Sequence, residues 1–186
     1  MPKKLPPIPA SHKLKLRKNL SAPGLLTIVR KKFEKIPDHR RGKPGYTLPD
    51  VLMSGLAVFG LKYPALLQFD TNRHEPTIKA NLKELYGVES IPCDTQMRTI
   101  LDPVEPKNLR PVFTAIHRQL QRQKVLEEYK YLGGYIVSID GTEQFSSNHI
   151  SCKECCCRTL RNGEKQYYHQ LLSAAIVHPE KPNVLP

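Results

Sequence analysis

The feature that most limits the fold is the glycine pair Gly133-Gly134, because the hydrophobic pattern changes its period there. Before it, apolar residues recur every three or four positions; after it, they come in short continuous runs. The first pattern buries one face of a helix, and the second belongs to strands with apolar side chains on both faces. Helices followed by strands make an α+β protein. A chain of 186 residues has room for one full domain, or for a small domain and part of a second. We therefore expect a flexible basic arm at residues 1–22, a helical region at 23–130 and the first strands of a sheet domain at 131–186.

Charge sets the arm apart. Of a net charge of +12, residues 1–43 hold 13 Lys and Arg against two acids, Glu34 and Asp38, while the remaining 143 residues carry 16 bases against 15 acids. Such an arm suits a polyanion, above all a nucleic-acid backbone, or serves solubility; an acidic membrane surface is a third use. Seventeen prolines cut the chain into short elements, and the first twenty residues lack an apolar core of signal-peptide length. The most apolar stretch, Val51 to Leu61, has eleven residues. A membrane span needs about 18 or more, so a core helix is expected and no membrane partner. Four of the five cysteines crowd into positions 152–157, which fits a reducing cytoplasm better than a disulfide framework.

Leu25, Leu26, Ile28, Val29 and Phe33 have helical spacing, with Ser21 as cap and Pro37 just beyond the end. The loop 38–45 is basic, and Arg40, Arg41 and Lys43 are the residues expected on DNA phosphates. Thr47 and Asp50 form a capping-box pattern that opens the next helix. Pro64 interrupts the chain before another helical turn, and Pro76 to Tyr86 reads as an amphipathic helix ended by Gly87. Asp94 is expected to cap a short helix with Met97, Ile100 and Leu101 inward. Thr95, Gln96 and Arg98 then point outward, as base-reading residues do on the second helix of a helix-turn-helix; a plain surface helix has the same pattern. Pro106 to Tyr129 is expected as one long helix.

Tyr135 to Asp140 reads as a strand buried on both faces that delivers Asp140 into a Gly141-Thr142 turn. The carboxylate either accepts N–H bonds from its own turn or binds a cation. Further strands are expected at 144–150 and 166–177, closed by Pro179 and Pro182, with Val184-Leu185-Pro186 opening another. Between them, His149, Cys152 and Cys155 stand at two-residue gaps, with Cys156 and Cys157 adjacent. Thiolates and imidazoles so spaced suit tetrahedral zinc, the set being Cys152, Cys155, one further cysteine and His149 or His169. Such a zinc is expected to be structural; the alternative is a cysteine-rich loop without metal.

In these motifs taken together, the chain resembles the DD-E transposases encoded by bacterial insertion sequences. The likeness rests on Pro37-Asp38-His39-Arg40-Arg41, on Cys93-Asp94-Thr95-Gln96-Met97-Arg98, and on Ser138-Ile139-Asp140-Gly141-Thr142 combined with Tyr167-Tyr168-His169-Gln170 and Val177-His178-Pro179. It runs from about residue 25 onward. The resemblance implies a ribonuclease-H-like fold whose first strand carries Asp140 as the first of three metal-binding carboxylates. In that family two Mg²⁺ ions stabilise the entering and leaving oxygens of an in-line displacement at a phosphodiester. The family's second Asp and its Glu would lie beyond Pro186, and nothing marks Glu143 as a substitute. The resemblance thus implies the amino-terminal part of a transposase that binds double-stranded DNA at element ends, is inactive alone, and works as a homo-oligomer or with an intact transposase. The alternatives are a non-catalytic DNA-binding regulator of transposition and a zinc-containing interaction module.

Overall fold

The computed structural model describes residues 20–185 as a mixture of helix and antiparallel sheet, in two compact units that divide between Gln123 and Lys124. The expected flexible arm lies, up to residue 19, outside the described residues.

The helical unit contains α1 (Ala22–Phe33), α2 (Leu48–Gly60), α3 (Leu66–Asn72), α4 (Pro76–Glu84), α5 (Asp94–Leu101) and α6 (Arg110–Arg122). Both expected caps form. Ser21 Oγ accepts the Gly24 N–H at 3.3 Å, and Thr47 Oγ1 accepts the Asp50 N–H at 3.2 Å. Each proline in a first turn stands where its missing N–H costs nothing. The eleven-residue apolar stretch is α2, a core helix whose Val51, Met53 and Ala57 are fully buried among Phe33, Phe69, Leu82 and Met97. Its buried Ser54 hydroxyl donates to the Asp50 carbonyl at 2.7 Å, so that hydroxyl is not stranded. Arg30 ties α1 to α2 through Asp50 at 2.6 Å. No described helix is long and apolar enough to cross a membrane.

Two expected elements differ. Asp94 is the first residue of α5 and not its cap; Cys93 holds the cap position without a side-chain bond. The carboxylate still lies in the first turn, where the positive end of the helix dipole favours it. The long helix expected over 106–129 is broken into a 3-10 turn at Pro106–Asn108, then α6, then a 3-10 turn at Leu126–Tyr129. Lys124 adopts φ +60°, which ends α6 without the glycine that usually marks such a stop. The division between the units falls there, seven residues before the expected 130/131 boundary.

The sheet unit contains β1 (Lys130–Tyr131), β2 (Gly134–Ser147), β3 (Cys156–Thr159), β4 (Lys165–His178) and β5 (Lys181–Leu185), all antiparallel. β4 is the spine. β2 pairs along one of its edges from Tyr167 to Val177, so the other edge takes β3 at the start and β5 at the end. The β4–β5 hairpin turns through Pro179-Glu180, the proline presetting the turn's φ. Pro182 does not close β4, as expected, but lies within β5, on a strand edge where no ladder N–H is needed.

The strand at Tyr135 is longer and more open than expected. Pairing continues through Asp140↔Ser173, Gly141↔Leu172 and Thr142↔Leu171 to Ser147, so Asp140-Gly141 is strand and not turn. A bulge at residue 144 lets the same strand absorb most of the second one expected. Nor is it buried on both faces: Val137 is 51% and Ile139 66% exposed. The described sheet unit supplies one sheet and a short 3-10 turn against β4, which is too little to cover two faces.

Candidate metal centre

β2 ends at Ser147, whose Oγ accepts the N–H groups of His149 (3.1 Å) and Ile150 (3.0 Å) and so turns the chain. A tighter turn follows, with the Cys155 N–H donating to the Cys152 carbonyl at 3.2 Å. That turn sets both sulfurs on one side, 3.6 Å apart. β3 then pairs Cys156 with Tyr168 and Cys157 with Tyr167, which carries Cys155 to the level of His169 on β4. His169 Nε2 stands 3.2 Å from Cys152 Sγ and 3.3 Å from Cys155 Sγ. The three ligating atoms share a shallow hollow of about 260 Å³ with Phe145, Ile150 and Ser151.

These distances can be compared with a zinc tetrahedron. Zn–S bonds of about 2.3 Å and Zn–N bonds of about 2.0–2.1 Å make its edges roughly 3.8 Å (S···S) and 3.6 Å (S···N). The observed triangle is within a few tenths of an ångström of that. The donor set, two soft sulfurs and an imidazole, suits zinc and not a hard cation such as magnesium. Cys152, Cys155 and His169 can therefore hold a metal ion. The Cys155 thiol is held above its ordinary pKa: the Cys152 N–H lowers it, but desolvation and the neighbouring Cys152 thiol outweigh that.

Of the expected ligands, His149 is not part of this group; its ring lies in the loop, outside the cluster. Cys156 and Cys157 are strand residues, both exposed. All five cysteines are free thiols.

Asp140 stands on the same β4 face as this cluster. Successive residues alternate across a sheet, and Asp140 pairs with Ser173 while Phe145 pairs with His169, both odd positions of β4. Glu143 pairs with Gln170, so it faces the other way. There Arg158 binds it through two nitrogens, at 2.7 and 3.0 Å, and stacks over Tyr168 at 4.9 Å. This bidentate pair had no local signature in the sequence, since its partners are 15 residues apart. Asp140 is exposed and belongs to no group of three ligating residues among those described. The residues present thus do not fit a two-magnesium centre.

The expected DNA-contacting residues divide. Arg41 and Lys43 are exposed on their loop, and Thr95, Gln96 and Arg98 are exposed on α5 while Met97 and Ile100 are buried. Arg40 is otherwise engaged. Its guanidinium holds Asp38 at 2.9 and 2.7 Å and donates to the Tyr46 carbonyl at 2.8 Å, stapling the loop. The side-chain bond from Arg40 keeps the Asp38 carboxyl below the usual carboxylate range. A depressed carboxyl contributes stability above its unfolded pKa of about 3.9, lost as pH falls through the folded value. Asp38→Asn should therefore flatten the acid loss of stability between about pH 5 and pH 2. Superimposable pH profiles for the two proteins would rule this out.

Comparison with protein families, with curated proteins and with solved structures finds no match to this chain.

Proposed function

We propose that the chain is the amino-terminal portion of an insertion-sequence DD-E transposase, with the helical unit binding duplex DNA at element ends. The supporting observation is the place of Asp140. It is an exposed carboxylate in mid-strand, opposite Ser173, in a run otherwise rich in Ile, Val and Tyr. Asp is depleted in strand interiors, and no ion pair of the described residues explains this one. It also lies on the first long strand of the sheet unit, where the resemblance puts the first metal-binding carboxylate. Two cations cannot be held by one carboxylate, so the chain is expected to bind DNA without cutting it; a homo-oligomer or an intact transposase is the partner this reading implies. A zinc held by Cys152, Cys155 and His169 would pin the 148–155 loop to β4, with its fourth position filled from outside this cluster, and the free thiols suit the cytoplasm. The Cys152, Cys155 and His169 cluster also favours a second reading, a zinc-containing interaction module.

The test is binding to the ends of its own element against scrambled duplex over a range of salt, together with a Mg²⁺-dependent nicking assay. We expect a preference for the ends and no nicking. Arg41→Ala with Lys43→Ala should weaken binding to every duplex and lower the salt slope by about 2, one unit for each phosphate that is no longer neutralised. Nicking that disappears in Asp140→Ala would refute the claim that the chain is inactive alone, and absence of any duplex binding would refute the reading itself.

A further inference from the structure

The first turns of α6 meet α1 in a concavity of about 360 Å³ lined by Lys32, Lys107, Arg110, Thr114 and Arg118. No acid lines it. Three other arginines of the helical unit are matched: Arg30 with Asp50, Arg40 with Asp38 and Arg73 with Asp70. Here only Lys107 has a carboxylate, Glu105 at 3.3 Å, and both of those side chains are mostly exposed. No ion pair among the described residues engages Lys32, Arg110 or Arg118.

The cations are also in line. Arg110, Thr114 and Arg118 recur every four residues on α6, so they share one face. Eight residues of helix rise about 12 Å. A duplex carries one charge for about every 1.7 Å of its axis, so a cation row of that length meets several phosphates, not a single anion. A row of guanidiniums without ion pairs in a shallow groove is chemistry for a phosphodiester backbone.

We infer that this groove is a docking site for the phosphate backbone of duplex DNA, distinct from the 38–45 loop and from the outer face of α5. It rests on the DNA-binding reading and names a surface for it. The contacts are to phosphate, so they strengthen binding to every sequence alike and carry no preference for element ends.

The experiment uses the full chain, a fluorescein-labelled duplex and fluorescence anisotropy from about 50 to 300 mM salt. The probe variant is Arg110→Gln with Arg118→Gln. Its control is Lys79→Gln with Arg161→Gln, which removes the same charge from exposed positions outside the groove. We expect the probe variant to lower the salt slope by about 1.8 and to bind on the order of ten- to a hundred-fold more weakly near 0.1 M salt, equally on end and scrambled duplexes. The control should change the slope by less than half as much, and circular dichroism should show unchanged melting for both. A wild-type slope in the probe variant overturns the groove while leaving DNA binding intact. Failure of the wild type to bind any duplex overturns the reading beneath it as well. Labelled polyglutamate bound as tightly as DNA, and as dependent on Arg110 and Arg118, overturns the assignment to phosphodiester.

Discussion

Replacing Cys152 and Cys155 together with Ser should abolish zinc binding, whereas the wild-type chain should bind one equivalent. The two sulfurs and His169 Nε2 already form a triangle 3.2–3.6 Å on a side, so binding requires little rearrangement. At a free zinc concentration of a hundred times Kd, the linkage gain is about 2.7 kcal/mol. For a unit of roughly sixty residues that corresponds to about 10–20 °C in the melting temperature of the sheet transition. Calorimetry with and without chelator reads it directly. His149→Ala should leave zinc affinity unchanged, because its ring stands outside the cluster. His169→Ala should weaken it by at least ten-fold. Equal zinc content in the double-serine variant, or none in the wild type, would eliminate the site.

Phe69→Ala should destabilise the helical unit by about 3–5 kcal/mol, the usual cost of truncating a buried aromatic. Phe69 is 1% exposed and meets Tyr63 edge-to-face with ring centroids 5.2 Å apart. Its removal empties space in the core cluster it shares with Leu82 and Met97. Denaturant unfolding followed by circular dichroism measures the loss, and the slope m tests whether the denatured state has changed. Phe113→Ala is the contrast: that ring is 62% exposed, so the change should stay within about 0.5 kcal/mol. If both variants lost the same amount, the division between core and surface in this unit would be wrong.

Much of the helical unit was legible because its signals are local. A cap such as Ser21 or Thr47 bonds a backbone N–H three residues away, and both form as the sequence implied. Apolar spacing likewise picked out α2 as the core helix and the buried side of α5. Lys124 shows where local reading stops. A lysine in the left-handed region costs energy that only the surrounding packing can impose, so nothing in its neighbours announces that α6 ends there.

The candidate site divides along the same line. Residue types and spacing by themselves marked Cys152 and Cys155 as candidate ligands, because a two-residue gap closes a turn with both sulfurs on one side. Which histidine completes the set was decided by strand register alone. His169 is 14 residues from Cys155 in sequence and 3.3 Å from it in space, while His149, much nearer to Cys152 in sequence, is excluded. The continuation of β2 through Asp140 and Glu143, where a turn was expected, put these two carboxylates on opposite faces by simple alternation. Arg40 was legible as a cation but not as a staple, since its commitment to Asp38 and the Tyr46 carbonyl depends on how the loop folds back. Local chemistry is written in neighbouring residues, whereas pairing between distant segments depends on register and packing, which a single side chain does not encode.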